Sequence, residues 1–449
     1  MNIAKIIAFL LVLQISFSIG AEATPLEEYK EAQSNYLEVA ASLAAYNDRY
    51  GKMAFSALEQ AGWEIHYFNI QAPSNDAKFI FMEKIDPVSK SPIYLLAVAG
   101  TETGKDVKSD LRFGKVYYAG KNVKEFLENA EKKDVDNSLP KVHKGFHQVV
   151  QTAFSADMLE GPGEQYFTDV LRSHPDQKII LTGHSLGGAA ATLIGARLLD
   201  MGIRPEQIKV VTFAAPAVGN DAFARQFEPT LDLTRFVMSG DQITSILQDL
   251  VGGYTQFGKA VNWQAPEHIV MHPHNITVYM DVAAKNYYQK RQQAVQAGAV
   301  PLPLQSLDKE GVRVYVAPIK NSLPLQLTKD FPSMAEGLKD AYRDTFPQYV
   351  FAAKEEDLQT SLQNAAAADC QWLVTSDLQG YALKNKNDVY YLTLVQTAYT
   401  VKDGRFANLQ SIGSSTQDMT PFMAMLHNSR TIVDQHLIPL VGLKKTNQD

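Results

Sequence analysis

The 449-residue chain holds a single cysteine, Cys370. An internal disulfide is therefore excluded, and stability has to come from a packed core. Basic runs beyond pairs such as Lys132-Lys133 are absent, and 42 Lys and Arg stand against 49 Asp and Glu for a net charge of -7. That balance argues against a protein that tracks a phosphate backbone, so no nucleic-acid partner is expected. Neither Cys-x-x-Cys nor His-Glu-x-x-His occurs, and Gly100 to Lys105 is too short for a phosphate loop and is followed by Asp106 instead of Ser or Thr. No metal, nucleotide or other cofactor is signalled. Internal repeats and low-complexity tracts are missing too, apart from the brief alanine run Ala365 to Ala368. Hydrophobic residues at 45% and charged residues at 20% exclude a disordered, collagen-like or multi-span membrane chain.

What is present begins at the amino terminus. Lys5 precedes an apolar run from Ile6 to Leu13 that weakens through Ile19 and reaches Ala21-Glu22-Ala23. A charged start, a short apolar centre and a small-residue end read as a cleavable signal peptide over residues 1–23. Gln14, Ser16 and Ser18 break the run short of the roughly 20 apolar residues a bilayer span needs. The expected destination is the exterior or a periplasm, and no cysteine at the junction offers a lipid anchor.

Thr24-Pro25-Leu26-Glu27 then supplies a helix start: a capping hydroxyl, proline at the first helical position and glutamate three residues on. The apolar runs Lys78 to Ile85 and Ile93 to Ala99, parted by a turn with Pro87 and Pro92, predict a hairpin. A helix near Gly145 to Phe154, a strand at Lys178 to Leu181, a helix from Leu186 to Met201, and strands at Ile208 to Phe213 and Arg235 to Met238 follow. Such alternation predicts an α/β class with a mainly parallel central sheet covered on both faces. A polar helix from Tyr287 to Ala297 gives way to Gly298, Pro301 and Pro303 before a new strand, Val312 to Ile319. The expected organisation is a first domain over 24–297, a linker over 298–311 and a small α/β domain over 312–449, which continues as an αβαβββα module.

The chemistry concentrates at Gly183-His184-Ser185-Leu186-Gly187, which follows one apolar strand and opens a helix rich in small residues. This is the setting of a nucleophile elbow: the serine sits on a sharp strand-to-helix turn, and bulk two residues before or after it would collide. The helix start also offers unpaired N–H groups to a developing oxyanion. A serine hydroxyl needs a base and an acid, and in elbow hydrolases they follow in the order acid, then histidine. Asp241 comes after a strand and the Gly240 hinge, which places it at a strand's carboxyl end beside the elbow; Asp232 and Asp249 lack that signal. His268, His272 and His274 all lie downstream, and spacing alone does not choose among them.

Taken with Ala97-Val98-Ala99-Gly100-Thr101, Asp106 to Leu111, Val142 to Phe146, Thr212 to Asn220 and Asp241-Gln242-Ile243, the elbow resembles the class 3 lipase family, the fungal-lipase-like branch of the α/β hydrolases, from about Leu37 to Val282. The resemblance implies an α/β-hydrolase fold and a Ser-Asp-His triad. It points to His274, because the family's histidine often stands five residues before a tyrosine, as His274 does before Tyr279. It further implies an oxyanion hole built from Thr101 and Leu186. Ala99 stands where arginine is usual and Val107 where tryptophan is usual, and Glu102 to Asp110 carries five charges and one apolar residue, which implies a weak interfacial lid. The second domain resembles small modules of bacterial envelope proteins, such as the amino-terminal domain of the Tol translocation protein, and implies docking to an envelope or protein partner.

These readings combine into an exported serine carboxylester hydrolase that cleaves acyl esters of lipids at a lipid surface through an acyl-enzyme. On this view a chain cut near Gln305 keeps its activity on soluble esters. The competing reading is a catalytically idle envelope-binding protein with a lipase-like fold.

Overall fold

A computed structural model describes residues 23–70, 77–100, 114–154, 157–158, 161–301, 305–306 and 311–443. The expected leader, apart from Ala23, lies outside them, as do Thr101 and the stretch Glu102 to Asp110.

Helix α1 (Pro25–Ala44) starts on a capping box: Thr24 Oγ1 accepts from the Glu27 N–H, and the Glu27 carboxylate accepts from the Thr24 N–H at 2.8 Å. Helix α2 (Arg49–Gln60) follows, capped by Asp48. The main sheet has seven strands in chain order: β1 (Glu64–Ile70), β2 (Ala77–Ile85), β3 (Pro92–Val98), β4 (Lys178–His184), β5 (Ile208–Phe213), β6 (Asp232–Met238) and β7 (Lys259–Trp263). The first three are antiparallel, with Ile85 opposite Pro92 across the expected hairpin, and β3 to β7 run parallel. Alternate residues of β2 enter different cores: Phe79 and Phe81 one, Ile80 and Met82 the other. Helices α3 (Lys144–Phe154) and α4 (Leu186–Asp200) cover the first face. Helices α1, α2 and α5 (Ile276–Gln296) cover the second. Helices α3 and α4 are crossovers between parallel strands, whereas α1 and α2 precede the sheet and α5 follows it, so both faces are covered. Its topology, with the elbow after a central strand, is that of an α/β hydrolase.

β1 and β7 went unread in the sequence. They are the sheet's edges, β1 mostly half-buried and β7 mostly exposed, so the alternation that marks a strand is weak in Glu64–Ile70 and Lys259–Trp263.

A second sheet follows, formed by β8 (Gln305–Ser306), β9 (Arg313–Val316), β10 (Lys320–Ser322), β11 (Gln348–Phe351), β12 (Trp372–Ala382), β13 (Tyr390–Thr400) and β14 (Phe406–Ser415). Their order is β8-β11-β9-β12-β13-β14, with β10 also beside β12. Helices α6 (Phe331–Thr345), α7 (Leu358–Ala367) and α8 (Pro421–Ile432) complete it. The strand expected over Val312 to Ile319 is shorter than read: β9 ends at Val316, before Pro318, which has no N–H to donate, and β10 begins only at Lys320. Helix α6 opens at Phe331 instead of Ser333, because Leu325–Asp330 already turns as a 3-10 helix that runs into it.

The two sheets are separate, yet they share one apolar core. Tyr288 of α5, Met334 and Leu338 of α6 and Phe422 of α8 belong to the same cluster as Val39, Leu43 and Met238. The polar helix expected over Tyr287 to Ala297 is the second half of α5, and its Arg291 binds Glu336 at 2.8 Å and Asp340 at 3.0 Å on α6. Among the described residues no helix is long and apolar enough to cross a membrane.

Candidate active site

Ser185 stands between β4 and α4 with φ 56° and ψ -126°. A non-glycine residue held at positive φ costs on the order of 1–3 kcal/mol, so its surroundings have to impose it. They do so through the backbone: Ser185 N donates to Phe213 O at 2.9 Å, and Ser185 O accepts from Gly188 N at 3.0 Å. The elbow glycines have a steric reason. A Cβ on Gly183 would lie 2.4 Å from Gly187 C, and one on Gly187 would lie 2.0 Å from Val98 O, so only hydrogens let α4 start this close to β3 and β4. Ser185 is 2% exposed.

The structure brings Ser185, His274 and Asp241 together. His274 Nε2 lies 3.0 Å from Ser185 Oγ, and His274 Nδ1 lies 3.0 Å from both carboxylate oxygens of Asp241. Asp241 follows Gly240, whose φ of 85° makes the sharp bend that glycine accepts freely. His274 precedes Asn275, whose side chain caps α5 by accepting from Thr277 N. The sequence alternatives fall elsewhere. His272 Nδ1 accepts from the His274 N–H at 3.1 Å, and His268 pairs with Asp388, in the turn between β12 and β13. Asp249 accepts from Ser245, and Asp232 starts β6 exposed.

Asp241 is tied down by more than the histidine. Tyr279 donates to Asp241 Oδ2 at 2.9 Å, Ile243 N donates to Oδ1 at 3.0 Å, and Tyr279 Oη itself accepts from Met238 N at 2.9 Å. Burial opposes ionisation of this carboxyl, but the hydrogen bond and electrostatic attraction of His274, with the hydrogen bonds from Tyr279 and Ile243, outweigh it and hold Asp241 below the usual carboxylate range. The five-residue interval from His274 to Tyr279 thus has a mechanical content: both ends address one carboxylate. Tyr279→Phe removes that donor and leaves the buried Met238 N–H without its acceptor. The expected cost is about 1–3 kcal/mol in denaturant unfolding and a several-fold lower kcat on a soluble ester.

Two residues of this network carried no functional assignment in the sequence. His184, beside the serine, donates from Nε2 to the His274 carbonyl at 2.7 Å and accepts the Tyr46 hydroxyl at Nδ1, 2.9 Å away. A carbonyl can only accept, so the proton must sit on Nε2. Burial first, and the neighbouring His274 second, push the His184 pKa down to about 3, which keeps the ring neutral. His184 lies inside the elbow motif but shows its role only by its partner. Tyr46 comes from the turn after α1, 138 positions away in sequence, and no local pattern marks it.

Leu186 is the first residue of α4, so its N–H belongs to the helix start that has no intrahelical carbonyl. Thr101, the other expected oxyanion donor, is outside the described residues. His143 and Asn220 serve the scaffold: the His143 ring accepts from Gly145 N, and Asn220 caps the helix Asp221–Phe227 while binding Lys141 N. Among the described residues, one grouping has the composition of a metal site, Glu64, His66 and Glu83, with ligand atoms within 4.8 Å of one another. It lies at the β1–β2 edge, away from the elbow.

Residues 95–250 match the family described as Lipase (class 3). A lipase of Caenorhabditis elegans is 42% identical over 83 residues, covering 18% of this chain and 24% of that protein. A lipase of Rhizopus niveus is 38% identical over 96 residues, covering 20% and 22%. The chain thus spans about a quarter of the length of these curated relatives. The crystal structure of a lipase from Rhizopus microsporus var. chinensis aligns with a TM-score of 0.40 and 23% identity, over 52% of this chain and 74% of that one.

Proposed function

We propose that the chain is a serine ester hydrolase of lipase type, exported from the cell and acting on acyl esters of lipids. The observation that carries this reading is the continuous hydrogen-bonded line Ser185–His274–Asp241 mounted on a strained elbow.

In this reading Ser185 Oγ attacks the ester carbonyl while His274 Nε2 takes the hydroxyl proton. Asp241 keeps the imidazole's other proton on Nδ1 and stabilises the imidazolium. The carbonyl oxygen, now negative, lies at the start of α4, where the Leu186 N–H and the helix dipole favour it. Collapse passes the proton to the departing alcohol and leaves an acyl-serine. Water then attacks, gives its proton to His274, and releases the fatty acid as Ser185 regains its own. The departing alcohol is the glycerol backbone with the substituents it still carries. The second module's expected role, docking to an envelope or protein partner, belongs to this proposal. An idle carrier has no use for a buried serine in costly backbone angles facing an aligned base.

The test is hydrolysis of a panel by the purified protein: triacylglycerol, diacylglycerol, phospholipid and a soluble short-chain ester, with fluorophosphonate labelling of Ser185 alongside. Turnover of at least one lipid together with labelling supports the reading. No label and no hydrolysis anywhere on the panel overturns it in favour of the binding protein.

A further inference from the structure

The segment 264–275, between β7 and α5, carries His274 and is held from three sides. The elbow holds its end, through the His184 bond to the His274 carbonyl. Ile269 and Met271 pack on the large core. The third support comes from the second module. His268 Nδ1 lies 2.8 Å from Asp388 Oδ1, the Tyr390 ring meets the His268 ring edge-on at 6.3 Å, and Lys329 lies 3.5 Å from Glu267.

This third support stands beside a gap in the packing: Ala265 reaches the large core, but Gln264, Pro266, Glu267 and His268 line open space. A cavity of about 520 Å³ opens beside the first part of the segment, lined by Trp263, Gln264, His268, Lys285, Asn286 and Lys329 among others. One side of the segment borders open space there, and the His268 ring meets Asp388 and Tyr390 from across the seam. Both partners also hold left-handed backbone conformations, His268 at φ 57° and Asp388 at φ 53°. Aspartate and histidine accept this region more readily than most side chains. The far side of the seam is a firm mount. Asp388 sits in the turn joining β12 to β13, closed by Leu383 N donating to Val389 O at 2.9 Å. The module is fixed to α5 by Arg291 and by Lys285, which lies 2.8 Å from both Asp281 of α5 and Asp330 before α6.

We propose that His268 and Asp388 are positioning residues, through which the second module holds the His274 segment in register with Ser185. The inference rests on the hydrolase reading above. It makes the module part of the active centre's scaffold, so a chain cut near Gln305 loses Asp388 along with the α6 and α8 cover over Tyr288. That reverses the expectation drawn from the sequence boundary.

The experiment uses the full chain. Asp388→Ala should lower kcat on a soluble ester by roughly ten- to a hundredfold, the scale of a small misplacement of a catalytic group, with KM nearly unchanged. Asp388→Asn, which keeps an acceptor for His268 and tolerates positive φ, should restore most of it. The strongly downfield proton resonance expected for His274 Nδ1–H against Asp241 should broaden in the alanine variant and return in the asparagine variant. Wild-type kcat and an unmoved resonance in Asp388→Ala would overturn the proposal, as would equal losses in both variants. Should Asp388→Ala fail to fold, His268→Phe keeps a ring against Tyr390 while deleting the donor: loss of kcat and of the resonance supports the contact, and wild-type values overturn it. If the unmodified protein neither labels nor hydrolyses, the hydrolase reading fails, while the resonance still reports whether Asp388 holds the segment.

Discussion

Ser185→Ala is expected to remove ester hydrolysis by about a million-fold, the cost of losing the nucleophile in a serine hydrolase whose triad acts as a unit. The fold should survive. The change deletes one hydroxyl and its bond to His274, while the elbow is set by backbone contacts that alanine keeps, namely Ser185 N to Phe213 O and Gly188 N to Ser185 O. Alanine tolerates the positive φ no better than serine, so no new strain arises and none is relieved. Melting temperature should therefore stay close to wild type while kcat and fluorophosphonate labelling vanish. Undiminished labelling of the alanine variant would mean that the reacting hydroxyl is elsewhere.

How far the sequence alone reaches depends on how local each feature is. The elbow is legible because strand, glycines, serine and small-residue helix are contiguous, and the steric demand falls on Gly183 and Gly187 themselves. Asp241 is legible through Gly240, since a carboxylate after a strand and a hinge has few places to go. His274 is different: three histidines lie within seven positions, and only a family interval to Tyr279 separates them. The reason for that interval, two donors meeting one carboxylate, appears only in three dimensions. Tyr46 and Asp388 are beyond any reading by pattern, because each acts on a residue more than a hundred positions away. The edge strands β1 and β7 were hidden for a different reason: a strand that buries little leaves little periodicity. Gly298, Pro301 and Pro303 punctuate the sequence and so suggest a domain boundary, but they are silent about the shared core that α5, α6 and α8 build across it.

Asp241→Asn carries the next largest expected effect, a fall in kcat of about ten-thousand-fold, the loss seen when the triad acid of a serine protease becomes an amide. The geometry gives this substitution two separate penalties. Asp241 accepts from three donors: Ile243 N at Oδ1, Tyr279 Oη at Oδ2 and His274 Nδ1 between them. Tyr279 cannot turn its proton away, since its oxygen already accepts from Met238 N. An asparagine has one acceptor and one donor end, so either orientation sets its NH2 against Ile243 N–H or against the Tyr279 hydroxyl. A buried donor facing a donor costs roughly 1–3 kcal/mol, which denaturant unfolding should register. The second penalty is chemical. An amide NH2 turned toward His274 Nδ1 asks that nitrogen to accept, which moves the ring proton to Nε2, where it faces Ser185 Oγ and leaves no lone pair to take the serine's proton. The variant should thus fold less stably, turn over ester at a trace rate and react with fluorophosphonate far more slowly than wild type. Retention of kcat within tenfold would remove Asp241 from the triad, and no sequence alternative stands ready, because Asp249 is engaged by Ser245 and Asp232 lies exposed at the far end of β6.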